Sequence, residues 1–207
     1  MIAIIDYGLG NLRSVSGALE RLGVDHVITN QPEQLTSAEK LILPGVGAFG
    51  DGMKNLHSRG LVDVLSRLVL EDRKPILGIC LGFQLMAKES TEFGKHVGLG
   101  WVDAGVEKLE THGGLRLPHV GWNDLFQVKT CSLFKGIPKD ALFYYVHSYY
   151  VRCRDESVVT GECEYGVRFS AALQQGNIFG TQFHPEKSQQ WGLKLLSNFL
   201  GRGNLPW

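Results

Sequence analysis

The sequence has few cysteines and no excess charge of either sign. Its four cysteines, in a chain of 207 residues, form no CxxC pair and no metal-finger spacing. This excludes a zinc-ribbon scaffold and favours free thiols over a disulfide framework. Lysine plus arginine and aspartate plus glutamate number 21 each, so the formal net charge is zero. Proteins that bind nucleic acids or membrane surfaces usually carry a clustered basic excess, so neither is expected as a partner.

No segment has the length or composition of a membrane span or a secretion signal. The longest apolar stretch, residues 76–87, is interrupted by Gln84 and is far shorter than the roughly 20 residues that cross a bilayer. The first residues, Met-Ile-Ala-Ile-Ile-Asp, contain no basic region, so we expect no signal peptide and a cytoplasmic protein. The hydrophobic content of 43% suits a single domain over residues 1–207.

The first half of the chain alternates between strand and helix patterns. We predict strands over residues 2–6, 26–29, 40–43 and 75–80, and helices over residues 12–22, 61–70 and 81–88. Such alternation predicts a mostly parallel central sheet with helices on both faces. The second half has short apolar segments separated by glycine, proline and acidic residues, which predicts antiparallel strands, and residues 192–200 supply a last helix. The fold class is therefore α/β with a β-rich second half.

A cysteine between two glycines is the most informative pattern in the chain. Residues 78–82 read Gly-Ile-Cys-Leu-Gly, at the end of an apolar strand and the start of a predicted helix. This is the form of a nucleophile elbow, in which a tight turn lifts the sulfur of Cys80 out of the sheet. The helix start favours a thiolate and an oxyanion beside it. The pattern alone is equally compatible with a buried structural cysteine, because free cysteines are often buried.

A histidine and a glutamate stand two residues apart near the C-terminus, at His184 and Glu186, with Pro185 between them. Proline is not accommodated in mid-helix, and along an extended backbone alternate residues project to the same side. A carboxylate placed there can fix the tautomer of the imidazole and stabilise the imidazolium. By itself the pair is compatible with a surface loop. Together with Cys80 it supplies a nucleophile, a base and an orienting acid.

A glycine-rich loop, Pro-Gly-Val-Gly at residues 44–47, follows the predicted strand that precedes the Cys80 strand. Its glycines let the backbone turn and present amides to a ligand. Ligands of open α/β sheets bind at the carboxyl ends of the strands, so we expect this loop beside Cys80. There it would supply one oxyanion-hole amide, with the Leu81 amide as the other. An ordinary strand-end turn is the alternative.

Neither a dinucleotide nor a metal ion is expected as a cofactor. The Gly8-Leu-Gly10 segment after the first strand invites a dinucleotide interpretation, but the third glycine of that fingerprint would fall at Arg13. His26, His57, His96, His112 and His119 show no ligand spacing, so the sequence predicts no metal site.

These motifs together resemble those of the class I glutamine amidotransferases, whose triad is cysteine, histidine and glutamate. The segments that carry the likeness are residues 44–47, 78–84 and 184–186. Further segments narrow it to the glutaminase subunits of imidazole glycerol phosphate synthase, over residues 1–200: Asp-Tyr-Gly-Leu-Gly-Asn at 6–11, Pro-Gly-Val-Gly-Ala-Phe-Gly-Asp-Gly-Met at 44–53, Pro-His-Val-Gly-Trp-Asn at 118–123, His-Ser-Tyr at 147–149 and Phe-His-Pro-Glu-Lys-Ser at 183–188.

The resemblance implies a flavodoxin-like fold and glutamine hydrolysis without a cofactor. It implies Cys80 as the nucleophile, His184 as the general acid and base, and Glu186 as the group that orients the imidazole. The remaining implied site residues are Gly45, Gln84 and the backbone of Ser148 and Tyr149 for glutamine binding, and Val46, Gly47 and Leu81 for the oxyanion hole. In this family the loop at Val46 often rearranges only when the partner is active.

The resemblance also implies a partner, a TIM-barrel cyclase subunit that forms a heterodimer with this chain and receives its ammonia. A shielded path would keep the ammonia unprotonated. The positions that match the family's interface region are Pro118, Val120, Trp122, Asn123 and Lys187. Trp122 is expected as an anchor and Lys187 as an inter-subunit ion pair. A core aromatic is the alternative for Trp122.

Three other functions stay open from the sequence. The same glutaminase chemistry could supply a paralogous synthase, for example one that amidates a surface-polysaccharide sugar. A non-catalytic regulatory subunit is the second, although such a subunit would be free to lose the intact triad. A cysteine peptidase or hydrolase of the same architecture is the third, and Gln84 with the His-Ser-Tyr segment at 147–149 favours glutamine over its substrates.

Overall fold

The computed structural model describes residues 1–111 and 114–202. The C-terminal segment 205–207, for which the sequence suggests no role, lies outside them. The helices are α1 (Leu12–Arg21), α2 (Pro32–Ser37), α3 (Phe49–Ser58), α4 (Leu61–Ser66), α5 (Leu81–Leu85) and α6 (Gln189–Leu200). Helix α4 continues into a π-helical turn over Arg67–Glu71, and 3-10 turns cover Ser132–Phe134, Glu156–Val158 and Pro185–Lys187.

The strands follow the predicted change of character from the first half to the second. They are β1 (Ile2–Ile5), β2 (His26–Thr29), β3 (Lys40–Gly45), β4 (Ile76–Cys80), β5 (Ala87–Ser90), β6 (His96–Val97), β7 (Val102–Lys108), β8 (His119–Asp124), β9 (Phe126–Gln127), β10 (Leu142–His147), β11 (Tyr149–Cys153), β12 (Val159–Tyr165), β13 (Val167–Gln175) and β14 (Ile178–Thr181).

The strands form one large sheet and one two-stranded ribbon. The sheet runs in the order β2-β1-β3-β4-β14-β13-β11-β7-β5-β6, and off this path β12 pairs with β13 and β9 pairs with β12. Its first five strands, from β2 to β14, are parallel, whereas β14, β13, β11 and β7 pair in antiparallel fashion. The ribbon consists of β8 and β10. The α/β fold with a β-rich second half is thus confirmed.

Alternate residues of the central strands enter two hydrophobic cores, one on each face of the sheet. Ile4 of β1 and Leu77 of β4 belong to one core, and Ile5 and Ile76 belong to the other. Buried residues of α1 and α6 complete the first core, and those of α3 and α4 complete the second. Strands covered on both faces read as continuous apolar runs, which is why the sequence reveals them. None of the helices in the described ranges has the length and apolar character of a membrane span.

Three local features differ from the sequence-based expectation. The helix predicted over residues 81–88 ends at Leu85, because the chain then pairs as β5 with β7 and β6. Helix α3 was not predicted, since Gly50 and Gly52 lower its intrinsic propensity. Gly52 allows close packing, because a Cβ there would lie 3.0 Å from the Leu85 side chain. Strand β14 was also not predicted, although it lies between β4 and β13.

Candidate active site

Cys80 occupies a strained turn between β4 and α5. Its backbone has φ 53° and ψ −109°, a region that non-glycine residues rarely adopt. The flanking residues must be glycine, because a side chain at either position would collide with neighbouring backbone atoms. A Cβ at Gly82 would overlap the carbonyl oxygen of Leu43, and one at Gly78 would lie 2.7 Å from the Cα of Phe83. The strand–turn–helix form of a nucleophile elbow is therefore present, and local strain of this kind is typical of functional sites.

His184 and Glu186 form a buried pair just after β14. The imidazole Nδ1 lies 2.8 Å from Glu186 Oε1, and each side chain is only 1% exposed. Because a carboxylate accepts, Nδ1–H is the donor, and Nε2 is directed elsewhere. Nε2 has no hydrogen-bond partner among the described residues. The backbone of His184 is held by Tyr144, whose carbonyl accepts its amide at 2.9 Å.

The negative charges around the His184 imidazole raise its pKa by more than burial lowers it. Burial by itself lowers the pKa of His184, but the charge of a Cys80 thiolate, followed by the hydrogen bond and charge of the Glu186 carboxylate, raises that pKa to about 10. An imidazolium at His184 and a thiolate at Cys80 therefore stabilise each other. Such a pair supplies a nucleophile together with a proton donor for a leaving group.

A cavity of about 260 Å³ opens at Cys80. It is lined by Val46, Gly47, Cys80, Leu81, Gln84, Glu92, Pro118, Val146, His147, Ser148 and Tyr149. Most residues that the sequence analysis assigned to the oxyanion hole and to glutamine binding are in this lining. Gly45 lies behind the wall, where a Cβ would come within 2.7 Å of the Gly82 nitrogen. A larger cavity of about 530 Å³ over residues 127–139 contains none of the predicted site residues in its described lining.

An apolar face of the β8–β10 ribbon adjoins this cavity. Val120 and Trp122 on β8 are 55% and 45% exposed. The Trp122 ring meets the edge of Tyr144 with centroids 6.0 Å apart, and the Lys187 ammonium lies 5.8 Å from the same tyrosine ring. We call Val120, Trp122, Tyr144 and Lys187 the docking face. The exposure of Trp122 removes the alternative of a core aromatic, and Pro118 is also exposed.

Asn123, the remaining predicted interface residue, faces the protein more than the solvent. Its side-chain amide donates to the carbonyl of Glu164 at 3.1 Å and contacts His119 Nε2 at 3.2 Å. The structure thus separates Asn123 from the docking face, although it lies on the same strand.

A family model and curated relatives match nearly the whole chain. The model described as "Glutamine amidotransferase class-I" matches residues 3–202. "Imidazole glycerol phosphate synthase subunit HisH 1" of Campylobacter jejuni (strain RM1221) is 50% identical over 200 residues, covering 97% of this chain and 99% of the relative. The HisH subunit of Moorella thermoacetica (strain ATCC 39073 / JCM 9320) is 50% identical over 198 residues, covering 96% of this chain and 93% of its own. The chain belongs to the HisH family of class I glutamine amidotransferases.

Solved structures agree on the fold. "Crystal structure of glutamine amidotransferase" superposes with a TM-score of 0.76 at 24% identity, covering 99% of this chain and 100% of that one. "Structure of PurLQS from Thermotoga maritima" gives a TM-score of 0.75 at 20% identity, with 97% of both chains covered. Membership of the class I glutamine amidotransferases makes the chain an enzyme of the glutaminase type, as its motifs implied.

Two buried polar residues of the site were missed by the sequence analysis. Gln182 is fully buried, and its amide nitrogen lies 3.6 Å from the sulfur of Cys80. Its amide oxygen accepts from Gln84 Nε2 at 3.1 Å, and Gln84 also donates to the Tyr149 carbonyl at 2.8 Å. Gln182 precedes His184 by two residues, so the alternation that linked His184 to Glu186 was the available signal.

Glu92 is the second missed residue, and it belongs to no motif. It is 9% exposed and lines the cavity, and its Oε2 accepts the amide of Phe49 at 2.6 Å, at the start of α3. A carboxylate at this position also fixes the end of the loop that begins at Val46, since α3 follows that loop directly. Only the tertiary placement of β5 brings Glu92 here, so no local signal could have identified it.

Proposed function

We propose that this chain hydrolyses glutamine to glutamate and ammonia at Cys80, His184 and Glu186, as the glutaminase subunit of imidazole glycerol phosphate synthase in histidine biosynthesis. The observation that carries the assignment is the sealed His184–Glu186 hydrogen bond of 2.8 Å, with Nε2 left free beside the strained Cys80. A nucleophile, a base and an orienting acid in this arrangement form a catalytic triad.

The thiolate of Cys80 attacks the carbon of the glutamine side-chain amide, and the carbonyl π electrons move to oxygen. As the tetrahedral intermediate collapses, the C–N bond breaks and His184 Nε2–H protonates the leaving nitrogen, which departs as ammonia. His184 then removes a proton from water, which attacks the thioester, and glutamate leaves as the sulfur regains its electron pair. Glu186 holds the imidazole through both steps and balances its positive charge.

The oxyanion that forms in each step needs donors aimed at it. Val46, Gly47 and Leu81 line the cavity around Cys80, and their backbone amides are the proposed donors. Leu81 is fixed by the start of α5, whereas Val46 is 39% exposed in a loop with φ +111° at Gly47. A glycine there permits the loop to change its peptide orientation, which fits an oxyanion hole completed when the partner is active.

Glutamine binding is assigned to the cavity residues around Gln84. Gln84 and the backbone of Ser148 and Tyr149 are proposed to hold the substrate, and Gly45 leaves room for the start of α5 at Leu81 and Gly82. Glu92 is proposed to bind the α-ammonium group of glutamine, because its mostly buried carboxylate lines the cavity and has the opposite charge.

The docking face is proposed to bind the TIM-barrel cyclase subunit in a heterodimer. Exposed Val120 and Trp122 provide an apolar centre beside the cavity, and Lys187 supplies a charge at its side. Interfaces are anchored by aromatic residues of this kind. Pro118 lines the cavity, is exposed and stands two residues before Val120 of the docking face, so ammonia formed at Cys80 would leave next to the partner. A cytoplasmic location stays a prediction.

The decisive experiment measures glutamate release by the purified chain alone, with the cyclase subunit, and with that subunit plus its nucleotide substrate. We expect low basal turnover that rises sharply in the third mixture. In the same complex Cys80→Ala should abolish glutamine-dependent turnover and retain ammonia-dependent synthesis. Loss of both activities in Cys80→Ala would make Cys80 structural and contradict the assignment.

A paralogous synthase is the second candidate for the ammonia acceptor. Relatives from Campylobacter jejuni are named HisH 1, and those from Methanococcus maripaludis and Pseudomonas aeruginosa are named HisH 2. Numbered names are consistent with more than one such subunit in one organism. A rate of glutamate release that does not change when the histidine-pathway cyclase is added would favour this candidate.

A further inference from the structure

The inner face of the β8–β10 ribbon carries two histidines that the proposed chemistry does not use. His119 and His147 stand directly opposite each other in the antiparallel register. Only 2% of His119 and 6% of His147 is exposed. Buried ring nitrogens need hydrogen-bond partners, so these two rings must be satisfied by each other and by their surroundings.

Their hydrogen bonds run in one direction only. The carbonyl of Tyr149 accepts from His147 Nδ1 at 2.9 Å, so the proton of a neutral His147 is on Nδ1 and its Nε2 is an acceptor. His119 Nδ1, 3.2 Å away, must therefore be the donor to that Nε2. This leaves His119 Nε2 as an acceptor, and the side-chain amide of Asn123 meets it at 3.2 Å. The Tyr149 carbonyl at one end and the Asn123 amide at the other thus fix the tautomers of both histidines.

The chain of hydrogen bonds requires both rings to be neutral, and their environment keeps them so. Burial lowers the pKa of His119 to about 4. Burial, followed by the neighbouring His119, lowers the pKa of His147 to about 3; His184 adds a smaller lowering effect, which the bond to the Tyr149 carbonyl opposes. Protonation of His147 would place two donors face to face.

Aromatic packing prevents the rings from turning. His119 is stacked between Tyr145 and Tyr165, with centroid distances of 5.0 Å and 4.0 Å. His147 meets Phe169 edge-on at 5.2 Å. A ring held on its faces keeps its nitrogens directed along the chain of hydrogen bonds, so the geometry is set by packing as well as by polarity.

The two ends of the chain lie at different functional regions. At one end Asn123 is next to Trp122 on β8, the strand that carries part of the docking face. At the other end the Tyr149 carbonyl also accepts from Gln84, which reaches Gln182 and then the sulfur of Cys80. One continuous series of polar contacts therefore joins β8 to the nucleophile.

We propose that His119 and His147 are positioning residues, which hold the Tyr149 carbonyl, and through it Gln84, in the arrangement that binds glutamine. Neither ring acts on the reacting atoms. Because the series begins on β8, the pair also ties the glutamine cavity to the strand on which the partner docks. This inference rests on the proposed function of that cavity as the glutamine site.

The first test measures the tautomers of His119 and His147 in the chain alone, without the partner or the substrate. With ¹⁵N-labelled histidine, imidazole nitrogen shifts should report the Nδ1–H form for His119 and His147, with no titration of either ring down to pH 6. Free histidine favours the other tautomer, so the expected result differs from that of an unconstrained ring. An Nε2–H tautomer in either ring, or titration of either ring above pH 6, would overturn the proposal.

The second test compares variants at His119 in glutamate release by the complex with the cyclase subunit. His119→Phe keeps the stacked ring and leaves His147 Nε2 without its donor. We expect the KM for glutamine to rise about tenfold, with a much smaller change in kcat. In His119→Asn the side-chain nitrogen can take the place of Nδ1, so this variant should recover most of the loss.

The matched control is Tyr165→Phe, which keeps the stack on His119 and removes only the hydrogen bond to the Arg116 carbonyl. Its KM should equal that of the wild type. An unchanged KM in a folded His119→Phe overturns the positioning role while the proposed function stands. A wild-type complex that releases no glutamate overturns the proposed function itself. If His119→Phe does not fold, the proposal is tested by the tautomers of His119 and His147 and by the KM of His119→Asn.

Discussion

His184 donates its Nδ1–H to the Glu186 carboxylate over 2.8 Å, and both side chains are sealed from solvent. The acid therefore fixes which nitrogen faces Cys80. A Cys80 thiolate makes the largest contribution that raises the pKa of the imidazole, and the Glu186 carboxylate adds to it. Orientation and charge are separable contributions, because an amide at position 186 can keep the first and remove the second.

Glu186→Gln is expected to reduce kcat for glutamine hydrolysis by about a hundredfold to ten-thousandfold, with a small change in KM. The amide still offers an oxygen to Nδ1–H but no longer stabilises the imidazolium, so the pKa of His184 should fall as well. Steady-state glutamate release measures the first effect. Glu33→Gln, at an exposed position on α2, is the matched control. A kcat within a factor of three of wild type would contradict the role of Glu186.

The raised pKa of His184 makes stability depend on pH. The folded state holds this proton up to a pH of about 10, against an ordinary value of 6.5, so His184 binds more protons in the folded chain than in the unfolded chain between these values. The stabilisation is complete below about pH 6.5 and is lost as the pH rises through about 10. Cys80→Ala removes the largest cause that raises this pKa, so the pKa of His184 should be lower in this variant than in the wild type. A ¹⁵N titration of the His184 imidazole in both proteins measures the two pKa values, and an unchanged pKa in Cys80→Ala would contradict the pairing.

The parts of the fold that depend on local pattern could be predicted from the sequence. The apolar runs of β1, β3 and β4 and the three- and four-residue steps of α1 needed no tertiary information. By contrast, β5 is a strand because β7 is available to pair with it, although its residues continue the pattern of α5. Strand β14 sits in the sheet centre for the same long-range reason.

In the candidate site, too, the residues that stand in local motifs could be predicted and those placed by long-range contacts could not. Cys80, His184 and Glu186 stand in motifs whose spacing indicates chemistry, and so does the loop at Val46. Glu92 enters the cavity only because β5 joins the sheet, and His119 meets His147 only because β8 pairs with β10. Contacts between distant segments depend on topology, which no single motif specifies.

Glu92→Gln is expected to raise the KM for glutamine by about tenfold or more, with kcat nearly unchanged. The variant keeps the shape of the side chain and an oxygen for the Phe49 amide, but it removes the charge proposed to bind the α-ammonium group. Glutaramate, which is glutamine without its α-amino group, provides the control substrate. Wild type and variant should use glutaramate equally well. A loss of the same size on both substrates would assign Glu92 to the structure of α3 instead.

Trp122→Ala is expected to weaken binding of the cyclase subunit by about 2 kcal/mol, which is roughly thirtyfold in Kd. Trp122 is 45% exposed and packs in a T-shaped contact with Tyr144. The Tyr144 carbonyl accepts the backbone amide of His184, so the docking face is joined to the proposed catalytic base. Titration calorimetry measures the affinity. Phe126→Ala is the matched control, because Phe126 is a similarly exposed aromatic at 42% that packs on Arg168 and lies on β9, which pairs with β12. Equal affinity losses in the two variants would contradict the docking face, because they would indicate a general effect of removing an exposed aromatic ring.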